Sequence, residues 1–254
     1  MRRLSPNSLF HFTSSFENML GILEDTFYPR YCYEEFDLVA RGKGKGFMKN
    51  AFPMVCFCDI TLSQLTSHIA TYGRYGFGMK KEWGIRNGLN PVIYFNRDSH
   101  MAKSFVEVVD QVIKIKGRNV APLGGVTEYL KPYKGNLYRG GRVTKKDVRF
   151  YDEHEWRYVP DIVVMKKHGM ELTISAEMYR QSKKLKDANK KLERDETRLA
   201  FDADDIKYII IDKESEINEM IGKLKAIKGS KYNFDTVERL ASRIITVKQI
   251  EEDF

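Results

Sequence analysis

The sequence predicts an α+β protein: a single domain over 1–254 on a mixed sheet, with a charged helical insertion at 177–200. Three observations carry this. Short apolar runs of strand length are interleaved with segments of helical period, in β-rich and α-rich stretches rather than a regular repeat. A chain of 254 residues suits one large domain, or one domain with a substantial insertion. The 177–201 stretch has helical spacing, yet only Leu185, Ala188, Leu192 and Leu199 form an apolar seam along it. Strict α/β is equally open on this pattern.

Leu9-Phe10-His11-Phe12 reads as a short strand, and Ser14 with Glu17 three residues later reads as a capping box that opens a helix. Arg41 to Gly46 is a glycine-rich basic loop. Pro53 to Asp59 is a buried strand. Thr61 or Ser63 caps the next helix, with Leu62, Leu65, Ile69 and Tyr72 on one face. Tyr75 to Met79 is a strand interrupted by glycine, followed by a short helix through Trp83 that ends at Gly88. Pro91 to Phe95 is a strand. Asp98 or Ser99 caps a longer helix that Gly117 stops. Arg118 to Asp147 shows little periodicity and is expected to be a long loop. Val148 to Val159 returns to strand character, and Ile162–Met165 with Glu171–Ile174 suggests a hairpin around Gly169. Ile206 to Ile211 is the clearest buried strand, Glu214 to Ile227 an amphipathic helix, and Arg243 to Val247 a last strand.

Composition excludes several classes. With 42% apolar and 31% charged residues, the chain is neither disordered nor fibrous. No apolar run approaches the ~18 residues of a membrane span, so no membrane partner is expected. Met1 to Phe10 lacks the apolar core of a signal peptide, and three cysteines (Cys32, Cys56, Cys58) are too few for a disulfide scaffold. The expected compartment is the cytoplasm. The net charge of +8 draws polyanions or an acidic partner, unless it merely reflects a lysine-rich surface.

Three segments could carry chemistry. His11, beside Thr13 and Ser14 at a strand end, could hold a ribose; the alternative is a half-buried histidine satisfied by backbone. Tyr72-Gly73-Arg74-Tyr75-Gly76-Phe77-Gly78 mixes aromatics that could sandwich a planar ring with glycines that admit a ligand or another backbone. The alternative is a tight helix-to-strand turn with core tyrosines. In Glu153-His154-Glu155-Trp156-Arg157-Tyr158, strand alternation sets Glu153, Glu155 and Arg157 on one face. A carboxylate there could stabilise positive charge at an anomeric carbon, as glycosyl transfer requires. The alternative is a structural Glu155–Arg157 pair.

The preceding loop carries Tyr129, Lys131, Tyr133, Lys134, Tyr138, Arg139, Arg142, Lys145, Lys146 and Arg149, a mixture suited to phosphate neutralisation and base stacking unless it is simply solvated. No metal is expected. Cys56 and Cys58 lack metal-site spacing, and a nuclease reading on Asp59, Glu153 and Glu155 lacks a compact carboxylate motif.

The segments LFHFTSS (9–15), PMVCFCDITLS (53–63), YGRYGFGMKKEW (72–83), NPVIYF (90–95), EHEWRYVP (153–160) and the ending IITVKQIEEDF together resemble the bacterial AbiGi abortive-phage-resistance family. The likeness covers most of the chain outside the 177–200 helix and the variable loops. It implies a phage-defence role, described in that family as the antitoxin half of a pair, with a cognate toxin as partner. More distantly, the chain resembles ADP-ribosyltransferase folds, including the DarT toxins that modify DNA. That resemblance implies an ADP-ribosyltransferase-like fold and NAD as cofactor. His11 and Thr13 would hold the NAD ribose, Tyr72 or Tyr75 would pack on nicotinamide, and Glu155 would be the catalytic acid, with Glu153 competing. No arginine clearly takes the usual place for the NAD phosphates, and Arg30, Arg41 and Arg74 are candidates only. Tyr133, Lys134, Arg139, Arg142 and Lys145 would present an acceptor, nucleic acid or protein. The tyrosine spacing and the missing phosphate arginine depart from that pattern. Two functions follow as expectations: an NAD-dependent ADP-ribosyltransferase, or a non-catalytic antitoxin that binds nucleic acid or its toxin.

Overall fold

A computed structural model describes residues 5–37, 47–116 and 125–254. Its first half runs β1 (Ser8–Thr13), α1 (Phe16–Glu24), β2 (Arg30–Asp37), β3 (Phe47–Cys58), α2 (Leu65–Tyr72), β4 (Tyr75–Lys80) and α3 (Lys81–Arg86). There follow β5 (Asn90–Pro91), β6 (Ile93–Phe95), α4 (His100–Lys116), β7 (Leu130–Pro132), β8 (Lys134–Arg139), β9 (Arg142–Arg149) and β10 (Glu155–Tyr158). The chain continues with α5 (Ile162–Lys167), β11 (Ile174–Ser175), α6 (Ala176–Arg180) and α7 (Ser182–Lys191). It closes with β12 (Ile206–Ile211), α8 (Ile217–Lys228), α9 (Phe234–Ala241), β13 (Ile244–Thr246) and α10 (Val247–Asp253). The fold is α+β with mixed strand pairing. Among the described residues, no helix is long and apolar enough to cross a membrane.

Two compact units emerge. The first comprises Met1–Phe27, Cys56–Leu89 and Leu199–Phe254. In it β1 lies antiparallel to β4, from Ser8 opposite Lys80 to Thr13 opposite Tyr75. The end of β3 pairs with β1 at Phe10 and Cys58. β12 is antiparallel to β4 and parallel to β13, so the sheet is mixed. Alternation on β1 decides the faces. Phe10 and Phe12 join Cys58, Leu65, Ile69, Ile210, Val247 and Ile250 in one apolar cluster. Leu9 and a half-buried His11 point the other way, where Phe27, Phe57, Phe77 and Trp83 are buried.

The second unit comprises Tyr28–Val55 and Asn90–Arg198. β2 is antiparallel to β3, and β11 pairs with β3 at Ala51 and Asn50. β10 is antiparallel to β5, β6 is parallel to β7, and β8 with β9 forms a hairpin. Its core gathers Tyr31, Tyr33, Ala51, Met165, Met170, Ile174, Ala188 and Leu192.

Several local expectations are corrected. Ser15, not Ser14, caps α1: its hydroxyl accepts from the Asn18 N–H at 3.2 Å. Of the expected 118–147 loop, most of the described residues (125–147) are strand, because Gly140 and Gly141 (φ 55° and 73°) make a tight turn. The mainly exposed β9 hides this, since it has almost no apolar alternation to read. The single strand expected at 148–159 is broken by a 3₁₀ turn at Phe150–Glu153, and His154 follows it with φ 44°. The hairpin expected around Gly169 is instead helix α5 and the short β11. Asp161 overrides the β-branched run by accepting from the N–H groups of Val163 and Val164. The long helix expected at 177–201 is two shorter ones, α6 and α7, parted at Gln181, whose backbone is extended, and helix ends at Lys191, with turns and irregular chain from 192 to 201. Pro91–Phe95 is two short strands, and α9, capped by Asn233, was not anticipated. Ser99 does cap α4, accepting from the Ala102 N–H. The Arg41–Gly46 loop lies outside the described residues.

Candidate functional site

The first unit holds His11, Thr13, Tyr72, Arg74 and Tyr75. Because Thr13 is opposite Tyr75 and His11 opposite Phe77, the side chains of His11, Thr13 and Tyr75 share one sheet face. Tyr72, at the end of α2, packs instead against the Phe10–Phe12 cluster and lies 4.4 Å from the His68 ring. His11 Nδ1 is 2.8 Å from the Cys56 carbonyl oxygen, and its ring lies 5.2 Å from Phe27 and 5.5 Å from Phe57. A carbonyl only accepts, so Nδ1 carries the proton of the neutral ring. Burial lowers the pKa of His11, and the bond to Cys56 only partly offsets that. The Tyr75 hydroxyl donates to Glu216 at 2.7 Å, and its ring meets Phe16 edge-on at 5.7 Å. Arg74 pairs with Asp212 and, at 3.2 Å, with Glu251. The glycines here do admit a close neighbour, and it is the chain itself: a Cβ on Gly76 would stand 2.4 Å from the His11 carbonyl oxygen.

Glu155 belongs to the second unit, at the start of β10. Its carboxylate is 5% exposed. Oε1 accepts from Arg157 Nε at 2.7 Å, while Oε2 accepts from Arg157 Nη2 at 3.3 Å and from Lys131 Nζ. Arg157 is fully buried; it also donates to Glu34 and, at 2.7 Å, to the Glu128 carbonyl. Lys131 reaches Glu153 at 2.9 Å as well. Burial pushes the Glu155 carboxyl upward, but Arg157 and Lys131 outweigh it and hold the group well below the usual carboxylate range. In Glu34 burial wins over Arg157, and its pKa is raised. Glu153 does not share a strand face with Glu155; it arrives from the 3₁₀ turn, and both acids converge on Lys131.

The basic residues of β8 and β9 surround a hairpin. Lys134 pairs with Asp147 at 2.6 Å, Arg139 stands opposite Arg142, and Lys145 stands opposite Leu137. Tyr133 lies just before β8 and is 40% exposed. Arg30 pairs with Glu193 at 2.9 Å, whereas Arg41 lies outside the described residues. Sequence reasoning missed Glu34, which joins Arg157 across 123 positions, and it missed Lys131 as a buried partner of two acids. No local pattern announces either. It also missed Tyr94, whose hydroxyl oxygen accepts from the Glu155 N–H at 2.8 Å. Among the described residues, no group of three or more His, Cys, Asp or Glu side chains is placed to hold a metal ion.

Comparison with known proteins bears on these residues. Residues 25–212 match the family described as "Putative abortive phage resistance protein AbiGi, antitoxin". The chain is similar to the abortive phage resistance protein AbiGi of Lactococcus lactis subsp. cremoris, with 28% identity covering 90% of this chain and 99% of that protein. No solved structure matches. The matched span holds β2 through β12, including Glu34, Lys131, Glu155 and Arg157. The resemblance carried by the short motifs is therefore matched over most of the chain, which belongs to the AbiGi family.

Proposed function

We propose that this chain is a phage-defence protein that works by binding, as the antitoxin or regulator of an abortive-infection pair, with a cognate toxin as partner. The family description supports the setting. One observation supports binding over catalysis: the Glu155 carboxylate is enclosed, and both its oxygens are occupied by Arg157 and Lys131. A glutamate that stabilises an oxocarbenium ion must turn an oxygen toward the ligand. Removing either cation to free one would leave buried charge uncompensated. Co-expression tests this reading. The chain alone should be harmless, and it should restore growth to cells carrying the product of a neighbouring toxin gene. Toxicity of the chain alone would overturn it.

A second reading, an NAD-dependent ADP-ribosyltransferase, draws on His11, Thr13 and Tyr75 sharing one face beside a helix capped by Ser15. On that reading Glu155 would be the catalytic acid, and the fold would be ADP-ribosyltransferase-like. Nicotinamide release from NAD by the purified chain, lost in Glu155→Gln, would establish it; no release would end it.

A further inference from the structure

We propose that the 150–154 turn and the β8–β9 hairpin form a binding site for single-stranded nucleic acid. The inference goes beyond the antitoxin reading and holds whether or not a toxin is neutralised. Its first support is a row of aromatic rings facing water. Tyr151 is 46% exposed and Tyr133 40% exposed, with their ring centroids 5.7 Å apart and planes inclined by 35°. The exposed His154 ring lies 5.3 Å from Tyr151, and Tyr94 meets Tyr151 edge-on at 5.2 Å. Rings in a row, two of them tyrosines with much of their surface in water, form a stacking platform for bases.

The platform is held rigidly from beneath. Phe150 is buried under the turn, with Lys131 Nζ 4.6 Å from its ring centroid. The same ammonium group fixes Glu153 at the end of the turn. The Glu155 N–H donates to the Tyr94 hydroxyl oxygen, and Tyr133 is tied by its N–H to the Phe95 carbonyl at 2.8 Å. The buried charges around Glu155 thus act as positioning residues for the exposed rings. Preorganisation of this kind lowers the ordering cost of binding.

The second support is charge. From Lys134 to Arg149 the hairpin carries six basic side chains and one acid, Asp147. Like charges face each other at both ends of the ladder: Lys134 opposite Arg149 and Arg139 opposite Arg142. Such cross-strand pairs repel, and phosphates between them would relieve the repulsion. The Lys134–Asp147 and Arg149–Asp152 pairs are exposed and contribute little, so they exchange readily for phosphate. An acidic protein would use the charges but not the rings. A duplex hides its base faces in its own stack, whereas a single strand offers both a base face and a phosphate chain.

Anisotropy of labelled mixed-sequence RNA and DNA oligonucleotides, single-stranded and duplex, titrated with the full chain, tests this. Single strands should bind more tightly than duplex, with affinity falling steeply between about 50 and 200 mM salt. Tyr151→Ala and Tyr133→Ala should each weaken binding about tenfold, with unchanged thermal unfolding, while Tyr151→Phe binds as wild type. Arg139→Gln and Arg142→Gln should each flatten the salt dependence by about one phosphate contact. Equal affinity for duplex, wild-type binding by both alanine variants, or full competition by an acidic polypeptide would overturn the proposal. None of these outcomes depends on toxin neutralisation, which is read separately by growth.

Discussion

Arg157 Nε stands 2.7 Å from Glu155 Oε1, and neither side chain has appreciable access to solvent. Two residues apart on one short strand, they share a face, as strand alternation requires. Glu34, from β2, accepts a second arm of the guanidinium. A fully buried arginine survives only with such a set of partners, because isolated charge in the interior costs far more than the pairing returns.

Arg157→Met should therefore destabilise the chain by about 3–5 kcal/mol, because it strands Glu155 and Glu34 without their counter-charge. Urea unfolding would measure the loss as a lowered midpoint. A loss within the scatter of exposed surface substitutions would mean that the network is not closed in solution.

Glu128 supplies a pH effect. Burial pushes its carboxyl up to about 7 from an ordinary 4.5. Between those values the unfolded chain has lost this proton while the folded chain retains it, so ionisation favours unfolding. The Glu128 contribution to stability should fall as pH rises from about 4.5 to about 7. Glu128→Gln should match wild type near pH 4 and be the more stable protein at pH 8. Thermal midpoints across that range report the difference.

His11 acts with the opposite sign. Its pKa is lowered by burial from 6.5, so the unfolded chain takes up the proton first as pH falls. The stability associated with the neutral ring is complete above about 6.5 and is lost as pH drops toward the folded-state value. Nitrogen NMR titration should show the His11 ring titrating below 6.5, with the proton of the neutral form on Nδ1. A His11 pKa at or above 6.5 would contradict burial as the dominant influence on the ring.

Two glycines should respond oppositely to alanine. At Gly76 a Cβ would lie 2.4 Å from the His11 carbonyl oxygen and 2.9 Å from the Phe12 ring, so β1 and β4 would have to part. Gly76→Ala should cost about 1–3 kcal/mol. Gly21, within α1, meets nothing within 4 Å of an added Cβ. Gly21→Ala should stabilise by about 0.5–1 kcal/mol, through the entropy that glycine loses in a helix. Denaturant titration of the two variants side by side reads both signs.

Much of the architecture was legible in the residues. β1, β4 and β12 announce themselves as apolar runs flanked by capping or turn residues, and Ser99 marks the start of α4. Their signals are short-range, because a cap or a period needs only three or four neighbours. The β8–β9 hairpin was not legible, because its second strand is almost wholly exposed and carries charge where a buried strand would carry alternating apolar groups. Helix α5 was misread because a valine-rich run favours strand until the Asp161 cap is weighed.

Residue types and their order settled the family, the basic surface, and the strand face shared by Glu155 and Arg157. Folding decided what those groups meet: Glu34 from 123 positions away at Arg157, Lys131 between two acids, and the Cys56 carbonyl at His11. The division has a physical cause. Periodicity, caps and charge are properties of neighbouring residues, whereas the fate of a buried ionisable group depends on whichever distant segments close around it and exclude water.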